Sequence, residues 1–413
     1  MKLGSLFDGS GTCPLAARMC GVEPVWASEI EPYPIRVTQK NFPGMRHLDD
    51  IKQIDGAKIE PVDVITFGSP CQDLSTAGKQ AGLINGERSS LFFEAIRIIR
   101  EMREATDGKY PRYAVWENVP GAFGSNRGRD FHAVLRAFVG VAGDGDDVPA
   151  PEGKGDRLGW SKSGCIMGDG YSIAWRQLDA QYWGVPQRRR RIYLVADFAG
   201  QRAGKILFER EGLRGDFAPG AAARQRAAAE TAGGAGGSDQ SGEVIGGFMA
   251  GQGAKAGSIA YSEEIAPTLR AGESGTNRAP TICVSTEQAH AEIMEDKAPT
   301  LMTGHGRPYI AVFDGDVSVS RNLTYSERVA HTQRVSTTGM VCYEARPPRK
   351  YVLRRLTPLE CCRLQGFPDD WTAGVEGSDA AQYKMWGNGM ALPCVLYVMQ
   401  GIAETEDEDE KSN

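Results

Sequence analysis

Four short apolar runs punctuate the first 125 residues: Leu3 to Phe7, Pro24 to Ala27, Val62 to Phe67 and Tyr113 to Trp116. Each ends at a turn or a polar site, and helical patterns lie between them, clearest from Ser90 to Arg103. Strands that alternate with helices predict a parallel, doubly wound α/β sheet, because a parallel neighbour is reached only through a crossover. Such sheets place their chemistry at the carboxyl ends of the strands. Residues 140–170 are rich in Gly and Asp and read as an inserted loop. From Gly170 to Asp197 the pattern resumes as a strand, a short helix and a strong strand, Arg191 to Ala196.

After Asp197 the character changes. Residues 217–243 are rich in Ala and Gly, with little that builds a core, and read as a flexible linker. Three similar segments follow, Ala266 to Leu269, Ala279 to Ile282 and Ala298 to Leu301, too irregularly spaced for a solenoid. With the short β-type run Tyr309 to Phe313 they suggest a small, strand-rich second domain. The expected organisation is therefore a first catalytic part over 1–197, a linker and second domain over 198–349, a return to the first domain over 350–403, and a disordered acidic tail over 404–413.

Composition narrows the setting. No run approaches the roughly 18 apolar residues of a membrane span, and no signal peptide is legible at the N-terminus. Nine cysteines without a CxxC pair argue against a disulfide framework or a zinc knuckle and for a reducing cytoplasm, so no metal is expected. The tail from Glu404 holds six acids against Lys411 and so carries most of the net charge of −6. Elsewhere, Arg188 to Arg191 form an unbroken basic run, and eight Lys or Arg between Arg321 and Arg355 face only two acids. Such stretches are solvated faces or nucleic-acid contacts.

The candidate chemistry sits at the strand ends. The first turn, Leu6-Phe7-Asp8-Gly9-Ser10-Gly11-Thr12, opens a helix, and its glycines let backbone approach a cofactor closely. Glu29 ends the second strand, where a carboxylate binds ribose hydroxyls. Asp50 follows a third and could accept from an adenine amino group. Two acids after a GxG turn point to an adenosine cofactor. Pro14 stands where a dinucleotide site has its third glycine, which favours S-adenosylmethionine. Pro70-Cys71-Gln72 follows the third apolar run with a thiol that, as a thiolate, is a nucleophile. Glu117 and Asn118 end the fourth. Arg189 and Arg191, alternate residues entering a strand, point the same way and suit an anion or a base carbonyl.

Taken in order, FxGxG (7–11), PCQ (70–72), the loop Ser75 to Gly82, ENV (117–119), QxRxR (187–191), Leu364 to Pro368 and Gly387-Asn388 resemble the DNA cytosine-C5 methyltransferases of bacteria and their phages. The resemblance implies a Rossmann-like S-adenosylmethionine-dependent methyltransferase sheet with a smaller target-recognition domain. It implies double-stranded DNA as partner, a monomer in the bacterial or phage-infected cytoplasm, and leaves open a cognate restriction endonuclease. It assigns Cys71, Glu117, Arg191, Arg189, Gln72 and Asn118 to catalysis. To the cofactor it assigns Phe7, Gly9, Gly11, Glu29, Ile30, Asp50, Ile51, Pro70, Leu91 and Asn388. Ser5 stands where the family often has Asp, Asp8 replaces a small residue, and Thr12, Ser69 and Met390 depart where Gly, Phe and Val are usual.

The implied mechanism follows from the weakness of cytosine C5 as a nucleophile. A thiolate on Cys71 adds to C6, Glu117 protonates or hydrogen-bonds N3, Arg191 holds O2, Arg189 orients Glu117 or the backbone, and Asn118 fixes the loop. The base must leave the duplex, and residues 75–89, with Lys79 and Arg88, read as a lid. A zinc deaminase is excluded: His290-Ala291-Glu292 fits half its motif, but neither Pro70-Cys71 nor Pro393-Cys394 continues as PCxxC. An RNA cytosine methyltransferase of related fold and a non-catalytic DNA-binding protein remain as alternatives.

Overall fold

The computed structural model describes residues 1–69, 90–143, 148–154, 157–208, 244–248, 262–263, 281–286 and 350–412. The motif at 70–72, the lid at 75–89 and the linker at 217–243 lie outside the described residues.

The expected alternation forms. Strands β1 (Lys2–Leu6), β2 (Glu23–Ser28), β3 (Arg46–Leu48), β4 (Val64–Phe67) and β5 (Tyr113–Asn118) are interleaved with helices α1 (Thr12–Met19), α2 (Pro32–Asn41) and α3 (Ser90–Ala105). Helix α4 (Arg129–Ala142) follows, then a short hairpin, β6 (Glu152–Lys154) and β7 (Arg157–Gly159), and three strands, β8 (Ser163–Met167), β9 (Ser172–Asp179) and β10 (Arg190–Asp197). One sheet of eight strands results, in the order β3-β2-β1-β4-β5-β10-β9-β8.

The first five strands of that order are parallel, as expected, but the last three are not. β10 runs antiparallel to β5, β9 to β10, and β8 to β9. A turn closed by Gly168 N–H donating to Tyr171 O at 3.0 Å joins β8 to β9, too short for a crossover. The stretch expected to be an inserted loop thus contributes an edge strand. Its burial alternates exposed and half-buried, so it lacks the apolar run that marks an inner strand.

Strand side chains divide between two cores. Leu3, Val64, Tyr113, Val115, Tyr193 and Val195 face one, and Leu6, Ile65, Phe67, Trp116, Ile192 and Leu194 face the other. Helices α3 and α4 cover the second core. The first is covered by α1 and by chain that returns late: α5 (Ala203–Phe208), α6 (Pro358–Leu364), α7 (Asp379–Asn388) and α8 (Leu392–Ser412). Helix α6 starts where Thr357-Pro358-Leu359-Glu360 dictates, with Thr357 and Glu360 exchanging the hydrogen bonds of a capping box and Pro358 at the first turn.

The domain limits shift accordingly. Ala203, Ile206 and Leu207 are buried in the first core, and Tyr397 Oη donates to Leu207 O at 3.0 Å, so the catalytic part runs past residue 197 to 208. In a separate sheet of order β12-β11-β13-β14, strand β11 is Val244–Phe248, β12 Ser262–Glu263, β13 Thr281–Thr286 and β14 Lys350–Arg355. Because β14 pairs with β13 from Thr281↔Arg355 to Thr286↔Lys350, the return to the first domain begins at 356 rather than 350.

The tail expected to be disordered is the end of α8, which continues to Ser412. Thr405 is buried, and Glu406 Oε1 lies 2.6 Å from Arg112 Nη1 and accepts from Tyr113 Oη at 2.8 Å. These contacts hold an acidic helix that composition alone leaves unsupported.

Candidate active site

The chain leaving β1 makes a tight reversal. Phe7, Gly9 and Gly11 have φ of 55°, 57° and 79°, in the left-handed region that a glycine enters without strain and Phe7 does not. Gly11 also admits no side chain, since a Cβ there would lie 2.9 Å from Thr38 Cγ2. The turn is tied down by Asp8 N–H to Ser28 O (3.1 Å) and Gly11 N–H to Asp8 O (3.2 Å).

Glu29 does more scaffolding than its sequence position suggests. Its carboxylate accepts from the backbone N–H of Gly9 (2.9 Å), Ile30 (2.8 Å) and Glu31 (2.9 Å), locking the β1 turn to the loop after β2. Beside it the Ile30 side chain is 67% exposed, the most solvent-facing of the large apolar residues described. Asp50 accepts from Lys52 N–H at 3.0 Å and caps a 3-10 turn, Ile51–Gln53. Ile51 itself is buried in the core, so only its backbone faces this edge. Arg97, which the sequence reading passed over, clamps the same turn by donating to Ile51 O (3.2 Å) and Ile54 O (2.9 Å). Leu91, in the first turn of α3, packs partly buried against the second core.

At the end of β5, Glu117 is buried at 9% exposure, with Oε1 3.0 Å from Arg191 Nε. Among the described residues this oxygen has a charge partner but no aligned hydrogen-bond donor. Burial raises the Glu117 carboxyl above the ordinary carboxylate range, and the charges of Arg191 and Arg189 oppose that rise. Its other oxygen lies 3.3 Å from where a Cβ on Gly68 would stand. Gly68 is the residue after β4, so the acid stands close to the chain at the end of the adjacent strand, with room for no side chain between them.

Asn118 completes that junction. Its Nδ2 donates to Ser69 O and Oγ, both at 3.4 Å, while its Oδ1 accepts from Val119 N–H at 2.8 Å. Trp116 Nε1 donates to the same Ser69 Oγ at 3.1 Å. Ser69, the last described residue before the Pro70-Cys71-Gln72 motif, is held from two sides.

The QxRxR pattern resolves as strand alternation requires: Gln187 and Arg189 are buried, Arg188 and Arg190 exposed. Gln187 Nε2 donates to Leu364 O at 2.7 Å. Arg189 donates to Gly387 O at 3.2 Å and to Gly389 O, and its backbone N–H to Asp179 Oδ1 at 3.0 Å. Arg189 donates to backbone carbonyls at the end of α7, and its charge also acts on Glu117. Arg191 pairs with the acid.

The returning segment therefore backs both the turn and the acid. Gln365 donates to Trp386 O and Gly389 O, and Trp371 Nε1 to Ser10 O at 2.9 Å. Asn388 is exposed at the end of α7. Trp371 had no signal as a site residue, because its role is a contact across more than 350 residues; Gln365 lies in the quoted Leu364 to Pro368 motif, but its link between two late segments was not legible.

The mixed sheet, with a glycine turn after its first strand and an acid-arginine pair at the end of its fifth, has the Rossmann-like α/β fold of methyltransferases. More narrowly, the C-5 cytosine-specific DNA methylase family matches residues 1–141 and 250–404, and the chain belongs to that family. A protein of Escherichia phage P1, named DNA N-6-adenine-methyltransferase, is 28% identical over 97% of this chain and 61% of its own length. The type II methyltransferase M1.ScrFI of Lactococcus lactis subsp. cremoris is 24% identical over 99% of this chain and 80% of its own. The chain spans roughly half the length of the first curated relatives it matches. In fold it is similar to the Entamoeba histolytica methyltransferase EhMeth, with a TM-score of 0.57 at 12% identity over 98% of each chain.

Proposed function

We propose that this chain transfers a methyl group from S-adenosylmethionine to C5 of cytosine in double-stranded DNA, through a covalent bond between Cys71 and C6. The observation that carries the reading is the close approach of Glu117 to Gly68. A buried, protonatable acid paired with Arg191 abuts the chain three residues before the only thiol of the PCQ motif.

The site suits the cofactor: the Gly9–Gly11 turn leaves its backbone open to close approach, and Ile30 offers an exposed apolar face for a flat ring. S-adenosylmethionine supplies the methyl group as a sulfonium substituent. Phe7, Gly9, Gly11, Glu29, Asp50, the Ile51 backbone, Pro70, Leu91 and Asn388 form the proposed cofactor side. Cys71 donates an electron pair to C6 while Glu117 delivers or shares a proton at N3, so that density gathers at C5. Arg191 offers donors toward O2, Arg189 and Asn118 hold the two loops, and Gln72 completes the motif. After transfer the C5 proton leaves to water and the S–C6 bond breaks, restoring the thiolate. The target base leaves the duplex to reach such a site.

The name of the phage P1 relative favours a second reading, methylation of an adenine amino group. An exocyclic amine attacks with its own lone pair and needs neither a thiol nor an adjacent acid, so the Glu117 and Cys71 neighbourhood supports cytosine. Incubation of duplex DNA and of tRNA with isotopically labelled methyl donor, followed by nucleoside analysis, decides the matter. The expected product is 5-methylcytosine in DNA. N6-methyladenine, or label in tRNA alone, overturns the proposal.

A further inference from the structure

Under the β1 turn lies a carboxyl group that the proposed chemistry leaves without a task. Asp8 is 8% exposed; Ser5 Oγ donates to its Oδ1 at 2.6 Å, and its Oδ2 is sealed from solvent with no hydrogen-bond partner among the described residues. A buried carboxylate oxygen left unpaired is costly unless it carries a proton or faces a cation. Among the described residues, the groups around it supply no cation. Ser5 comes from β1, and Glu29, after β2, is a like charge. Cys13, on α1, feels both Asp8 and Glu117, and burial pushes its thiol to about 12, so it stays neutral. Thr66, opposite Ser5 on β4, has its own hydroxyl buried and unpartnered. The sequence points to the same spot. Of the two positions at which this turn departs from the family pattern in charge, one loses an acid, Ser5, the other gains one, Asp8, and the two side chains touch.

We propose that Asp8 couples cofactor binding to proton release: its carboxyl is neutral at mildly acidic pH in the cofactor-free protein and ionises there when the cationic end of S-adenosylmethionine settles over the Gly9–Gly11 turn. Asp8 acts through space in a poorly screened setting rather than by contact, and it is a positioning residue, not a catalytic one. Burial raises its carboxyl to about 7, with Glu29 adding to the rise and the Ser5 hydrogen bond opposing it. A cation nearby lowers that value, so the proton leaves on binding, and affinity improves as pH rises toward neutrality. With a free value of about 7 and a carboxyl that stays ionised in the complex, linkage gives about eightfold tighter binding at pH ~7.5 than at pH ~6.

The proposal rests on the methyltransferase reading, and calorimetry on the full chain separates the two. S-adenosylmethionine is titrated near pH 6.5 in buffers of different ionisation enthalpy, which reads protons released per cofactor bound. Release from the unaltered protein, its loss in Asp8→Asn and its persistence in Glu117→Gln support the proposal. The cofactor's own α-amino group, titrating at about 8, would take up a proton on binding and so gives the opposite sign. Binding without proton release in the unaltered protein overturns the role of Asp8 and leaves the methyltransferase reading standing, as does release that disappears only in Glu117→Gln. Absence of any binding heat overturns both. S-adenosylhomocysteine, which lacks the sulfonium charge, identifies the cation: equal release assigns it to the ammonium, diminished release to the sulfonium.

Discussion

Substitution of Gly68 by Ala probes the junction between Glu117 and the PCQ strand end directly. An ideal Cβ there lies 2.7 Å from Met390 Cε and 3.3 Å from Glu117 Oε2, against about 3.5–4.0 Å for a relaxed carbon contact. Met390 must yield most, by close to 1 Å, but its tip is backed by Cys13, whose Sγ lies 3.8 Å from Met390 Sδ. Glu117 must yield by a few tenths of an ångström while Arg191 holds its other oxygen. Overpacking of this kind costs about 1–3 kcal/mol. Met390→Val removes the clashing atoms altogether, so the double variant should recover at least half of that loss. Met390→Val alone costs roughly 1 kcal/mol for its smaller buried volume. The coupling between the two changes is then about 0.5–2 kcal/mol. Turnover behaves differently: Glu117 stays crowded in the double variant, which should remain about three- to tenfold below the parent even when stability is restored. Urea unfolding at unchanged slope reads the first quantity and single-turnover methyl transfer the second. Additive stabilities, or a fully active Gly68→Ala, would refute the contact geometry on which the proposed site is built.

Three further outcomes are expected. Cys71→Ala lowers methyl transfer by more than roughly a hundredfold, and 5-fluorocytosine at the target traps a covalent adduct in the parent only; active Cys71→Ala ends the thiolate mechanism. Arg191→Ala, whatever its effect on rate, moves the alkaline limb of the kcat/KM profile upward, because a charge that holds the Glu117 carboxyl down is removed; a limb unmoved or moved downward contradicts that assignment. Glu406→Ala removes an ion pair and a hydrogen bond to Arg112 and Tyr113 and destabilises the domain by about 1–3 kcal/mol, read as increased amide exchange in α8; exchange equal to the parent would mean that the tail helix is held by other contacts.

What the sequence made legible follows one rule: local patterns show and distant partners do not. The inner parallel strands β4 and β5 were readable because each is a run buried on both faces. β8 was not, because an edge strand with alternate exposure looks like loop. The end of helix α8, from Glu404, reads as a disordered acidic tail until Arg112 and Tyr113 are beside Glu406. At the proposed site, Glu117, Arg189 and Arg191 were singled out by position and alternation, whereas the hydrogen bonds of Arg189 depend on the return of Gly387 and Gly389, some 200 residues on. Glu29 was found for its carboxylate, yet its three backbone hydrogen bonds are a property of the folded turn.

Asp8 and Glu117 pose the same physical problem at the carboxyl ends of two strands, and their surroundings differ in a way that suits the two roles proposed for them. Both are buried, and both are held above the ordinary carboxylate range by that burial. Glu117 has Arg191 and Arg189 to oppose the shift, so its proton is exchangeable within the protein as it stands. Asp8 has a hydroxyl and a like charge among the described residues, so below neutrality its ionisation would be favoured by a cation from outside. The folded state holds the Asp8 proton more tightly than the unfolded chain. Stability from this group is therefore fullest below its unfolded value of 3.8 and declines until pH passes about 7. Asp8→Asn, which cannot ionise, should flatten that decline, giving a variant more stable than the parent at pH ~8 and little different at pH ~4. Chemical denaturation at the two pH values reads the difference. A variant less stable than the parent at both would mean that the Asp8 carboxylate is already satisfied in the free protein.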